Sequence, residues 1–123
     1  MTRSVRTLRL VVFAGASNWP LWAAEAHGFL AAEGLAVTVD VTPNSTEMAA
    51  NLHAGRYDLA LSSIDNIVAY NEGQGAADVG QTDFVALFGV DDGLLSVMAD
   101  PAIASLDGLK GKTLSLDAPA TGF

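Results

Sequence analysis

Small polar residues collect in this sequence at one kind of place, where an apolar strand-like run gives way to a helix-like run. Ser17, Asn18 and Trp19 form the first such group, Thr42, Asn44 and Ser45 the second, and Ser62, Ser63, Asp65 and Asn66 the third. The pair Asp91 and Asp92 follows a later apolar run. A helix start offers free backbone N–H groups and the positive end of its dipole, so it favours anions and polar ligand atoms. Hydroxyl and amide side chains there donate and accept hydrogen bonds without net charge. That chemistry suits reversible binding of a small polar solute better than bond-making. The same residue types are also ordinary helix caps, worth about 1 kcal/mol each, and for Asn44, Ser62 and Asp65 both readings stand.

The remaining chemically capable residues add little. Trp19 reads either as a stacking wall for a ligand or as a rim aromatic packed on its own helix, and Trp22 reads as core. Asp91 and Asp92 precede Gly93, a turn signature whose acids are usually a solvated corner. His27 stands just before a helix-stopping glycine, where it interacts with the last carbonyls. His53 lies within a helix, and Arg56 falls in a turn at the far end from the polar groups. No arginine is therefore placed to clamp a carboxylate or sulfonate. The sequence holds no phosphate-binding glycine loop, no dinucleotide fingerprint, no nucleophile elbow and no paired-histidine zinc motif. No catalytic residue, metal ligand or cofactor is expected.

Alternating elements must position these groups. Thr7 to Ala14 is β-branched and apolar and predicts a strand, followed by a turn at Gly15 to Asn18. Pro20 suits the first turn of a helix, which ends at Gly28, and a further helical turn ends at Gly34. Leu35 to Val41 alternates and predicts a second strand. Asn44 with Glu47 resembles a capping box, so a helix is expected from there to Gly55. Asp58 to Leu61 predicts a short strand. Ser62 as cap, with Asp65 at the third helical position, predicts a helix to about Asn71. Gly73 to Gly80 reads as a flexible surface loop. Two more strands are expected at Asp83 to Val90 and Leu94 to Ala99, a helical turn at Ser105 to Gly111, and a last strand from Thr113. Such alternation predicts right-handed βαβ units and a mainly parallel sheet, whose ligands bind beyond the carboxyl ends of the strands.

Composition bounds the remaining possibilities. The chain has 123 residues, the size of one domain, and 50% of them are apolar. Its 6 basic and 14 acidic residues leave a net charge of −8, which disfavours nucleic acid as a partner because phosphate contacts need a basic face. With no cysteine there is no disulfide framework and no thiolate chemistry. Arg3, Arg6 and Arg9 before the apolar Leu10 to Ala16 superficially resemble a secretory leader. The residues that follow form no small-x-small cleavage site, so a strand is the better reading. No stretch reaches the ~18 apolar residues that span a bilayer.

Four segments carry a resemblance to a known family. They are Asn18 to Leu30 (NWPLWAAEAHGFL) after the first strand; Glu33-Gly34-Leu35 before the alternating strand; Leu52 to Ile64 (LHAGRYDLALSSI); and Leu106 to Leu114 (LDGLKGKTL). In this order they resemble the first lobe of type II periplasmic solute-binding proteins of ABC importers, in the nitrate/sulfonate/taurine-binding and NMT1/THI5-like group. The resemblance implies an α/β lobe with helices on both faces of the sheet, spanning residues 1–112. Residues 113–123 would begin a crossover strand and loop toward a second lobe that this sequence lacks. It further implies a small polar or anionic ligand, of the sulfonate, nitrate, pyrimidine or aromatic-acid class, held between two lobes. The implied contacts are Ser17, Asn18, Trp19, Asn44, Ser45, Ser62, Ser63, Asp65, Gly89, Asp91 and, in the crossover loop, Thr121. An ABC permease is the implied protein partner, and a lone lobe is expected to self-associate through its exposed face. The family setting implies a periplasmic or extracellular location; the sequence shows no leader, which leaves the cytoplasm open. Alternatives on the same fold are a pyrimidine-precursor synthase, for which His53 is the available helix histidine, a menaquinone-pathway enzyme, or an effector-sensing lobe.

Overall fold

The computed structural model describes residues 4–90 and 97–115 of the chain. Its sheet is built from β1 (Arg6–Phe13), β2 (Leu35–Thr42) and β3 (Leu59–Ala60), all parallel, in the order β2-β1-β3. Two helices, α1 (Trp19–Ala26) and α2 (Phe29–Ala32), join β1 to β2, and α3 (Ser45–His53) joins β2 to β3. Helix α4 (Ile64–Asn71) follows β3, and a short 3-10 turn occupies Leu106–Leu109. This is a small α/β lobe with a parallel three-stranded sheet. No helix among the described residues is long and apolar enough to cross a membrane.

β1 is central because its apolar side chains alternate onto two covered faces. Leu10 and Val12 are buried on one face and Val11 on the other. The Val11 face holds the core, with Met48 and Ala49 from α3, Tyr70 from α4 and Ala77 from the following loop. Pro20 sits in the first turn of α1, where its missing N–H costs nothing. Gly28 separates α1 from α2 at φ 71°, a left-handed backbone that side-chain-bearing residues rarely adopt.

The amino end of the sheet is fastened by one ion pair. Asp58, just before β3, accepts from Arg9 Nε at 3.1 Å and Nη2 at 2.9 Å, and from the Arg9 backbone N–H at 2.8 Å. The Asp58 N–H in turn donates to the Arg9 carbonyl at 2.8 Å, which sets the register of β3 against β1. The Arg9 side chain, followed by its backbone N–H, holds the Asp58 carboxyl down to about 2 from an ordinary 3.8. A carboxyl depressed in the folded state adds stability above its unfolded pKa, and that stability is lost as pH falls through the folded value. The melting temperature is therefore expected to decline between about pH 4 and pH 2, more gently for Asp58→Asn. Parallel pH profiles for the two proteins would remove this pair from the account.

Several expectations from sequence need correction. Residues 83–90 form no strand, and Val85, Leu87 and Phe88 on that stretch are exposed. Residues 97–99 and 113–115 form none either; the rest of those two expected strands lies outside the described residues. An apolar alternating run becomes a strand only when a neighbour completes its ladder, and none of the described residues pairs with these runs. Instead Asn71, at the end of α4, holds residues 82–84 with its side chain. Its Oδ1 accepts from Phe84 N–H at 2.9 Å and Thr82 Oγ1 at 2.7 Å, and its Nδ2 donates to the Phe84 carbonyl at 2.8 Å. Trp22, expected in the core, is 40% exposed, on a helix that buries none of its residues among those described. The loop at 73–80 is more than a surface crossing, for Ala77 is buried in the core.

Candidate functional site

The parallel register brings the carboxyl ends of the strands to one end of the lobe. Phe13 of β1 lies level with Thr42 of β2, and Ala60 of β3 lies level with Val11 two residues short of them. Leu61 N–H continues the β3 pairing by one bond to the Val11 carbonyl, at 3.0 Å. Each strand then gives way to a helix start, so the first, second and third polar groups share that end. Their side chains divide into some that hold the framework and others that stay available.

In the first group Asn18 is buried, and its Nδ2 donates to the Phe13 carbonyl at 2.6 Å. It therefore ties off the last carbonyl of β1 instead of offering that donor outward. Its Oδ1 is buried and has no hydrogen-bond partner among the described residues. Ser17 is exposed, and Trp19 is 73% exposed at the start of α1. Of the two expectations for Trp19, the packed rim aromatic does not fit that exposure.

In the second group Thr42 is buried and donates from Oγ1 to the Asn44 carbonyl at 3.0 Å. Asn44 caps α3, its Oδ1 accepting from Glu47 N–H at 2.8 Å. The capping reading is thus correct for Asn44, whose Nδ2 remains for other work. Ser45, the first residue of α3, is buried.

The third group differs from expectation by one residue. Ser63, not Ser62, precedes α4 in extended conformation, and it makes no side-chain cap bond. Asn66 reaches back from the first turn instead, its Nδ2 donating to Ser62 Oγ at 3.1 Å and Ser63 Oγ at 3.3 Å. That anchor holds both hydroxyls in place and explains the shifted boundary. Asp65 is half-buried in the same turn, with Oδ2 buried and without a hydrogen-bond partner among the described residues. Gly89 lies in the exposed stretch beyond the sheet, and Asp91 and Thr121 lie outside the described residues.

Charge is distributed unevenly over the lobe. Arg6 opens β1, Arg9 pairs with Asp58 before β3, and Arg56 stands in the turn that leads to β3. These arginines gather toward the amino ends of the strands. The three helix starts thus present hydroxyls, amides, backbone N–H groups and the Asp65 carboxylate. This arrangement can bind a small polar molecule through neutral donors and acceptors. Sequence reasoning missed Asn71 and Tyr70 as organisers. In the sequence Asn71 reads only as the end of a helix before a glycine loop, and Tyr70 as one more position of that helix.

Comparison with known proteins gives one match. The family model described as NMT1/THI5 like matches residues 16–121, from the first helix start through the 3-10 turn and beyond. No curated protein and no solved structure matches the chain significantly. The family covers solute-binding proteins of ABC importers and pyrimidine synthases of the THI5 kind, both of which hold small molecules. With its parallel lobe and a match over nearly its whole length, the chain belongs to the NMT1/THI5-like family.

Proposed function

We propose that this chain is the ligand-binding lobe of an ABC importer's solute-binding protein. It takes a small polar or anionic solute at the carboxyl end of its sheet. The observation that supports this reading most directly is the set of three helix starts above level strand ends, carrying uncharged donors. Trp19 supplies an aromatic face, and Ser17, Ser62, Ser63 and the Asn44 amide supply hydrogen bonds. Asn18 and Ser45 act from beneath as supports, while Gly89, Asp91 and Thr121 complete the set of proposed contacts. Sulfonates, nitrate, pyrimidines and aromatic acids are the ligand classes to test, and the setting is periplasmic or extracellular. A permease is the proposed protein partner, with self-association through the apolar 85–88 stretch. The synthase reading gains no support from His53. That residue is exposed in the last turn of α3, about 12 Å along the helix from the Asn44 end.

A thermal-shift screen with nitrate, taurine, pyrimidines and aromatic acids tests the proposal. A ligand present at 100 times its Kd stabilises the folded state by about 2.7 kcal/mol. That should raise the melting temperature by roughly 10 °C. Trp19→Ala should reduce the rise with little change in the ligand-free melting temperature, since an exposed side chain contributes little to folding. If no class shifts the melting temperature, or Trp19→Ala leaves the response intact, the site is misplaced.

A further inference from the structure

Tyr70 is among the most buried side chains of the lobe, at 1% exposure, yet it carries a hydroxyl that packing alone does not require. That hydroxyl stands between two backbone groups. It accepts from Ala77 N–H at 3.2 Å and donates to the Ser45 carbonyl at 3.4 Å. Ala77 belongs to the 73–80 loop, and Ser45 is the first residue of α3, next to the Asn44 cap. The same loop and the residues just after it close around the rest of the residue. Gly73 and Thr82 N–H groups both donate to the Tyr70 carbonyl, each at 3.1 Å, and Phe84 meets the ring edge-on at 6.2 Å. At Gly75 the backbone passes so close to the ring that a Cβ would stand 2.0 Å from Tyr70 Cδ1. Only glycine fits there without displacing the ring.

We infer that Tyr70 is a positioning residue for the α3 side of the binding site, through which the 73–80 loop sets where Asn44 and Ser45 stand. A buried hydroxyl is retained where it satisfies buried backbone groups, and here the two groups belong to different segments. The loop is coupled to the start of α3 because one hydroxyl bonds both the Ala77 N–H and the Ser45 carbonyl. The inference rests on the reading that α3 opens onto the ligand, but the link itself is measured without any ligand.

Amide exchange and amide chemical shifts of the full chain test it. In the unaltered protein Ala77 N–H should exchange more slowly than its neighbours in the loop, because its acceptor is the buried hydroxyl. Tyr70→Phe keeps the ring and removes the bridge. Exchange at Ala77 should then quicken about tenfold, and the amide resonances of Ser45, Thr46 and Glu47 should move. The amides of Trp19 and Ile64, at the other two helix starts, should stay in place. A tyrosine that served packing alone would move none of these signals. Equal movement at all three helix starts, unchanged Ser45 and Ala77 signals, or an unprotected Ala77 in the unaltered chain would each overturn the proposal. The last of these readings does not depend on the variant folding. A coupled response together with a blank ligand screen keeps the link and discards the site.

Discussion

Val12→Asp is expected to leave the chain unfolded, while Val41→Asp changes its stability by less than about 0.5 kcal/mol. The two valines are register partners on adjacent strands and point to the same face of the sheet. Val12 is fully buried near the carboxyl end of the central strand β1, whereas Val41 is 61% exposed on the edge strand β2. A carboxylate at position 12 would be taken out of water, a penalty of several kcal/mol even after relaxation. Domains of this size are stable by about 5–15 kcal/mol, so that penalty takes most or all of the margin. At position 41 the carboxylate stays in water. Circular dichroism with urea titration separates the cases. Cooperative unfolding of Val12→Asp at the unaltered midpoint would show that β1 is not the centre of the core.

Asn71→Leu should cost about 2–4 kcal/mol, a fall in melting temperature of roughly 10 °C or more. The side chain amide gives Phe84 the donor and acceptor that a neighbouring strand would have given it, and adds a bond to Thr82. Leucine matches its size but leaves those partners without it. Asn71→Asp keeps the acceptor and loses the donor, so its cost should be smaller. Equal losses in the two variants would mean that shape, not hydrogen bonding, explains the residue.

The difference between positions 12 and 41 also shows what the sequence could reveal. Periodicity located β1, both helices after it, β2, α3, β3 and α4 to within a few residues, because each has a local cause: Pro20, the Asn44–Glu47 cap, the valine alternation. It could not show which valines are covered, since coverage depends on elements far along the chain. The run 83–90 has strand-like composition, but a strand also needs a partner's ladder, and composition carries no information about partners. Trp22 failed for the same reason, since none of the described residues buries its helix.

At the site, the level strand ends follow from the predicted parallel sheet, and the polar groups were visible at the junctions. Their division of labour was not. Asn18 is spent on the Phe13 carbonyl, and Asn66, four residues into the third group, holds both serines. Side-chain reach of this kind depends on rotamers fixed by the fold, and residue type alone does not encode it. Asn71 reaches forward 13 residues, beyond any local pattern.

The central place of β1 has a consequence for how the chain is made. Its partners both come later in translation: β2 is complete only at Thr42, and β3 only at Ala60. At about 5–20 residues per second, a ribosome leaves β1 with both edges open for seconds. During that interval Leu10 to Phe13 is a bare apolar segment of the kind that pairs with copies of itself on neighbouring polysomes. Arg6 and Arg9, at the near end of that segment, give it like charges that repel another nascent copy. Arg9 would then guard the strand before synthesis reaches Asp58, and clamp the sheet once it does.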